Sequence, residues 1–276
     1  MKAVLVPTEP HDVMDSVLRT SLLVQQRFGS YLEGFALRPA IPDYVPIDMV
    51  SGLAWHVDER ADEDARRQSH VLFTSFMERN GLGPEGTPDS RFGWHPRAPA
   101  GDAFVVSHAR SFDLVVLGRP VVGKAQPSMA TLEAAFFEAG RPVLIAPPTP
   151  PASLGGTVVI AWNDSTETAR TVAYVMPFLT AAERVVVLTI EGWSRDTSNP
   201  GLITANLRRN GVRAEAVEGP DPKRNVGEAI LTQTAALGGD LLVKGAYTQS
   251  RLRQMIFGGA TAHILANAAV PVLMAN

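Results

Sequence analysis

The sequence predicts an α/β protein of two doubly wound, mainly parallel five-stranded sheets. Three observations carry that reading. Short β-branched apolar runs alternate with helix-period segments, the rhythm of parallel strands joined by crossover helices. The chain also repeats itself: Asp113-Leu114-Val115-Val116-Leu117-Gly118 matches Asp240-Leu241-Leu242-Val243-Lys244-Gly245 at an offset of 127 residues (113 to 240). Finally, a length of 276 residues suits two domains, each able to bury its own core.

In the first repeat, residues 4–6, 32–36 and 114–117 read as strands. Pro39, Pro42 and Pro46 punctuate an extended loop before an acidic helix start at Asp58-Glu59 and Asp62-Glu63-Asp64. Carboxylates there favour the positive end of a helix dipole by about 0.3–1 kcal/mol each, and a solvated, capped helix start explains them. Residues 81–99 are rich in Gly and Pro and read as loop around a weak third strand near 92–96. A last helix is expected over 128–139 and a last strand at 143–146.

The run Pro147-Pro148-Thr149-Pro150-Pro151 reads as a stiff linker, setting a first domain of 1–149 against a second of 155–276. In the second repeat, strands are expected at 158–161, 185–190, 212–217, 241–243 and 270–274. The helix after the first of these takes Asp164 or Ser165 as its cap, and Ala169, Val172, Ala173 and Met176 give it one apolar face. Helices at 202–210, ended by Gly211, at 226–237, and from about 259 to 268 complete it. The opening strands match at an offset of 155 (3 to 158), so the first repeat carries about 28 extra residues (155 less 127), within 38–100.

The tail of the second repeat carries the chemistry. A strand runs into Gly245, then a hydroxyl- and Arg-bearing loop, and Gly258-Gly259 opens the next helix. Such a loop leaves backbone N–H groups free at a helix N-terminus, where an anion is favoured. The spacing resembles the nucleotide-binding loop of the universal stress protein family: Gly, two residues, Gly, nine residues, Gly, then Ser or Thr. Gly245 and Gly258 fit, Thr248 stands where the second Gly belongs, and Gly259 stands where Ser or Thr belongs. The resemblance spans essentially the whole chain and takes its tandem form.

That resemblance implies an adenine nucleotide alpha hydrolase-like fold with strand order 3-2-1-4-5, arranged as an internal pseudo-dimer with the two last strands near the pseudo-twofold axis. It implies an adenine nucleotide (ATP, ADP or AMP, with Mg) in the second domain. Asn163 would face the ribose, in the place of the family's Asp, and Gly245, Tyr247, Thr248, Ser250, Arg251, Gly258, Gly259 and Thr261 would surround the phosphates. Asp164 points the other way on a strand end, and Trp162 is a candidate wall for the adenine. In the first repeat Thr8 replaces the acid, and only Gly118 and Arg119 are left to hold an anion, so a degenerate structural copy is expected.

Composition narrows the classes. A net charge of −3 with mixed signs argues against a nucleic-acid surface, and the absence of cysteine excludes disulfides and thiolate metal sites. No apolar stretch approaches the roughly 20 residues of a membrane span, and the opening strand lacks a signal-peptide pattern, so a cytoplasmic location is expected. His11, His56, His70, His95, His108 and His263 show no metal spacing, and only His263 falls near the expected crevice. Trp55, Trp94, Trp162 and Trp193 read as packing or loop anchors. Within those classes the resemblance implies a stress-response module that binds an adenine nucleotide in its second domain and is at most a weak ATPase. The alternative is a signalling scaffold with both sites degenerate, and a homodimer is compatible with either.

Overall fold

The computed structural model describes residues 1–39, 59–87, 90–121, 123–193, 199–220, 222, 225–246 and 259–276. The first half runs β1 (Ala3–Thr8), α1 (Met14–Phe28), β2 (Tyr31–Ala36), α2 (Glu59–Arg79), β3 (Gly83–Pro84), β4 (Ser90–His95), α3 (Asp102–Ala109), β5 (Leu114–Gly118), α4 (Met129–Glu138) and β6 (Val143–Ala146). The second half runs β7 (Thr157–Ala161), α5 (Thr166–Ala181), β8 (Arg184–Ile190), α6 (Pro200–Arg209), β9 (Ala214–Gly219), α7 (Val226–Ala236), β10 (Leu241–Gly245), α8 (Gly259–Asn267) and β11 (Val272–Ala275).

The central strands are apolar almost throughout because helices cover both of their faces, as parallel sheets require. β5, β6, β10 and β11 are buried at every position. Helix ends follow local chemistry. Ser165 caps α5 by accepting from the Thr168 N–H, and Asp164 beside it takes a left-handed φ of 59°. Gly29 closes α1 at φ 61°, its N–H donating to the Gln25 carbonyl.

Hydrogen-bonded neighbours give the order β4-β2-β1-β5-β6 in the first half and β9-β8-β7-β10-β11 in the second, which is 3-2-1-4-5 twice. The last strands of the two halves pair antiparallel, Val272 opposite Ile145, Leu273 opposite Leu144 and Met274 opposite Val143. The pseudo-dimer is therefore one continuous 11-stranded sheet rather than two separate sheets. Two short, fully buried apolar edges would each template association if bare, and each covers the other. The first half also has a sixth strand, since β3 adds to the outer edge of β4.

One apolar cluster lies on each face of the sheet, and both run through the two halves. On one face Val17, Leu18 and Phe73 join Val172, Phe178 and Leu207. On the other, Val105, Leu132 and Phe136 join Ile230, Ile264 and Leu265. Two arginines staple the halves. Arg27 donates to the carbonyls of Leu154, Gly155 and Ala181, and Arg119 donates to the Ala268 carbonyl at 2.8 Å.

Several boundaries differ from the sequence reading for local reasons. α6 starts at Pro200 because Asn199 caps it. Val212 lies in the turn that closes α6, its N–H donating to the Leu207 carbonyl, and β9 begins at Ala214. β11 begins at Val272, since Pro271 has no N–H to give to a ladder. The acidic start of α2 is not simply solvated. Asp62 is paired with Arg38, which is 4% exposed, and that contact holds the Asp62 carboxyl below its ordinary value. Pro42, Pro46 and Asp58 lie outside the described residues.

Candidate functional site

Strand order reverses between β7 and β10, the place where open α/β sheets leave a crevice beyond the strand ends. The β7 end delivers Asn163. Its side-chain oxygen accepts from the Thr168 hydroxyl at 2.7 Å and from the Ser165 N–H at 3.3 Å, which leaves its amide group to donate. The β10 end delivers Gly245. A Cβ there would sit 2.4 Å from the Thr168 backbone nitrogen, so the first turn of α5 closes on this glycine and packing alone demands it.

Two charged groups at the same crevice were missed by sequence reasoning. Lys244 is 6% exposed, and its ammonium donates to the Gly245 carbonyl at 2.9 Å and to the Thr261 hydroxyl at 2.8 Å. Burial pushes it down to about 8, with the Glu167 charge opposing the shift. Glu167, in the first turn of α5, has a buried carboxylate oxygen with no donor among the described residues. The signal was a lysine inside an otherwise apolar strand run, Leu241-Leu242-Val243-Lys244. It reads as an irregularity until the fold shows what surrounds it.

Thr261 is buried with its oxygen taken by Lys244, so its own proton is what it can offer. Gly259 opens α8, is exposed, and has nothing within 4 Å of where a Cβ would stand. Tyr247, Thr248, Ser250, Arg251 and Gly258 lie outside the described residues. Trp162 is 6% exposed and belongs to the apolar cluster that includes Val172 and Phe178 of α5. His263 lies against α7, its Cβ 2.8 Å from where a Cβ on Gly227 would stand. Among the described residues, no cluster of three or more acidic or histidine side chains assembles to hold a metal.

The equivalent crevice of the first half, between β1 and β5, is not bare. It is a small cleft lined by Glu9, His11, Ser128 and Thr131 with walls from Pro7, Leu37, Leu117, Pro127 and Leu132. The Thr8 hydroxyl donates to the Val6 carbonyl at 2.9 Å, and Glu9 after it lines the cleft. Glu9 is 6% exposed, and burial, with a smaller contribution from Asp102, pushes its carboxyl up to about 7. Burial pushes the His11 imidazole down to about 4. His11 Nδ1 accepts from the Val13 N–H at 3.1 Å, so the neutral ring carries its proton on Nε2, 4.0 Å from Glu9 Oε1. Arg119 does not hold an anion here, because it is drawn to the second half by Ala268.

No family model and no curated protein matches the chain. Solved structures do. A universal stress protein from Archaeoglobus fulgidus DSM 4304 aligns with a TM-score of 0.73 at 15% identity, covering 99% of this chain and 96% of that one. A putative universal stress protein from Pseudomonas aeruginosa UCBPP-PA14 aligns at 0.53 and 14% identity, over 100% of this chain and 93% of that one. A functionally unknown protein from Pseudomonas aeruginosa PAO1 aligns at 0.53 and 15% identity, over 100% and 92%. The chain has the fold of these proteins along its whole length.

Proposed function

We propose that this chain is a cytoplasmic stress-response module of the universal stress type that takes an adenine nucleotide in the crevice of its second half. The observation that carries the reading is the buried ammonium of Lys244 beside the first turn of α8. A cation and the positive end of a helix dipole repel each other, and an anion between them relieves both. The open N-terminus of α8 at Gly259, with Lys244 and the Thr261 hydroxyl, then receives phosphate oxygens. Glu167, with its unpartnered oxygen, and the Asn163 amide face the sugar and base. Glu167 thus restores the acid that Asn163 lacks. Tyr247, Thr248, Ser250, Arg251 and Gly258 complete the phosphate loop by their place in the sequence, and Mg accompanies a triphosphate. The role is binding and signalling, with hydrolysis slow at most.

A second reading, a scaffold that binds no nucleotide, is favoured by one observation: Gly245 is explained by its contact with Thr168 whether or not a ligand binds. Calorimetric titration of ATP, ADP and AMP into the full chain, beside Lys244→Met and Glu167→Gln, separates the two. Wild type binds under the nucleotide reading, and Lys244→Met loses about ten- to a hundredfold in ATP affinity, the usual worth of a charge-assisted hydrogen bond. No binding of any of the three at millimolar concentration rejects it in favour of the scaffold, and equal affinity in all three proteins rejects Lys244 and Glu167 as its contacts.

A further inference from the structure

We propose that the outer edge of β9 is a docking surface for a second copy of this chain, whose own β9 pairs with it antiparallel about a twofold axis at Val217. The proposal is independent of nucleotide binding in the second half. β9 ends the 11-stranded sheet, and the register of its ladder shows which of its groups lie bare. The Val185 N–H donates to the Arg213 carbonyl and the Glu191 N–H to the Gly219 carbonyl, so the odd-numbered residues of β9 face β8. Ala214, Ala216 and Glu218 therefore point their backbone N–H and C=O groups away from the sheet. Ala214 is already served, its N–H by the Val212 carbonyl and its carbonyl by Arg208 Nε at 2.7 Å. Ala216 and Glu218 are exposed, and no strand among the described residues lies beyond them.

The bare groups suit a copy of the same strand. Setting Ala216 against the partner's Glu218 lets each residue give one N–H···O=C bond and take one, and the twofold repeats the pair, so every bare group is used. That register places Val217, only partly buried by its own chain on the α7 side, against the partner's Val217, a β-branched cross-strand pair. On the α6 side, Glu218 falls opposite the partner's Ala216 and beside the partner's Arg208. Arg208 Nη groups make no hydrogen bond among the described residues, so each Glu218 gains an arginine and no like charge stands directly opposite another. Gly201, Ala205 and Arg208 follow at i, i+4 and i+7 on α6, and the Arg208 contact fixes that face over the open edge. The two small residues there leave room for the partner's helix. The chain already closes one pair of edges in this manner, where β6 and β11 run antiparallel. The other end of the sheet does not compete, because β3 is two residues long, shifts register and contains Pro84, the marks of a blunted edge.

The test is sedimentation velocity of the full chain from micromolar to near-millimolar concentration, over which wild type should pass from monomer to dimer. Ala216→Pro should weaken the dimer by about tenfold or more, since it removes half of the shared N–H donors. It should leave circular dichroism and the thermal midpoint unchanged, because the Ala216 N–H does not serve the ladder with β8. Glu218→Arg should also weaken the dimer, by meeting the partner's Arg208 with a like charge, and adding Arg208→Glu to it should restore association. If Ala216→Pro fails to fold, the charge reversal and its rescue decide alone. A wild type that stays monomeric throughout overturns the proposal. So does a dimer that survives folded Ala216→Pro, or one that Glu218→Arg leaves unchanged.

Discussion

Glu9→Gln should make the protein more stable, and the gain should appear only as pH rises. The folded protein raises the Glu9 carboxyl from 4.5 to about 7, because burial disfavours the charged form. A group raised in this way contributes stability that is fully present below 4.5 and is lost as pH rises through about 7. At about 1.36 kcal/mol per unit, the loss above pH 7 comes to about 3 kcal/mol. Glutamine keeps the shape and cannot ionise, so it escapes that loss. His11 behaves oppositely: lowered from 6.5 to about 4, it contributes stability present above 6.5 and lost as pH falls through about 4, again by about 3 kcal/mol. In wild type the two slopes nearly cancel between 4.5 and 6.5, so its own profile should be close to flat there. Glu9→Gln should unmask the histidine slope, with stability climbing from about pH 4 to 6.5. Urea denaturation of both proteins across this range, followed by circular dichroism, reads the difference directly. It should be near zero below 4.5 and approach about 3 kcal/mol above 7. A difference that does not change with pH would show that Glu9 does not titrate in a buried setting, and would refute the reasoning.

The remaining predictions concern the second half and the joint. Lys244 is lowered from 10.5 to about 8, so its folding contribution is present above 10.5 and lost as pH falls through 8; Lys244→Met should stabilise the unliganded protein at pH 7 by up to about 3 kcal/mol, less its two hydrogen bonds, as read by thermal denaturation. ATP affinity of wild type should weaken as pH rises through 8 and that of Lys244→Met should not, as calorimetry would show. Gly245→Ala should cost about 1–3 kcal/mol of stability with no ligand present, because its methyl meets backbone at Thr168 rather than a yielding side chain. Arg27→Ala should cost a similar amount, about 1–3 kcal/mol, by leaving three carbonyls across the joint of the halves without their donor, which urea denaturation would report. Thr248→Gly should tighten ATP binding about five- to thirtyfold if its position needs positive φ, measured as a dissociation constant.

How far the chain could be read without its fold depended on whether a feature is local or shared. The repeat of Asp113–Gly118 in Asp240–Gly245 is written in consecutive residues and led to two halves, while the family resemblance implied their 3-2-1-4-5 order and the meeting of their last strands. Caps at Ser165 and the close of α1 at Gly29 obey equally local rules. The crevices resisted because their chemistry is set by neighbours far along the chain. Glu9 follows the strand end at Thr8 with no motif to mark it, and only burial beside α3 and α4 makes it an acid held near neutrality. Lys244 became a buried cation through Thr261, seventeen residues on, and Gly245 acquired its necessity from Thr168 on another element. Periodicity and spacing determine which face a residue occupies and where an element stops, because those depend on the residue and its near neighbours. Desolvation, unmatched donors and close backbone approach depend on everything packed around a group, so the tertiary structure alone decided that this protein has two unlike crevices.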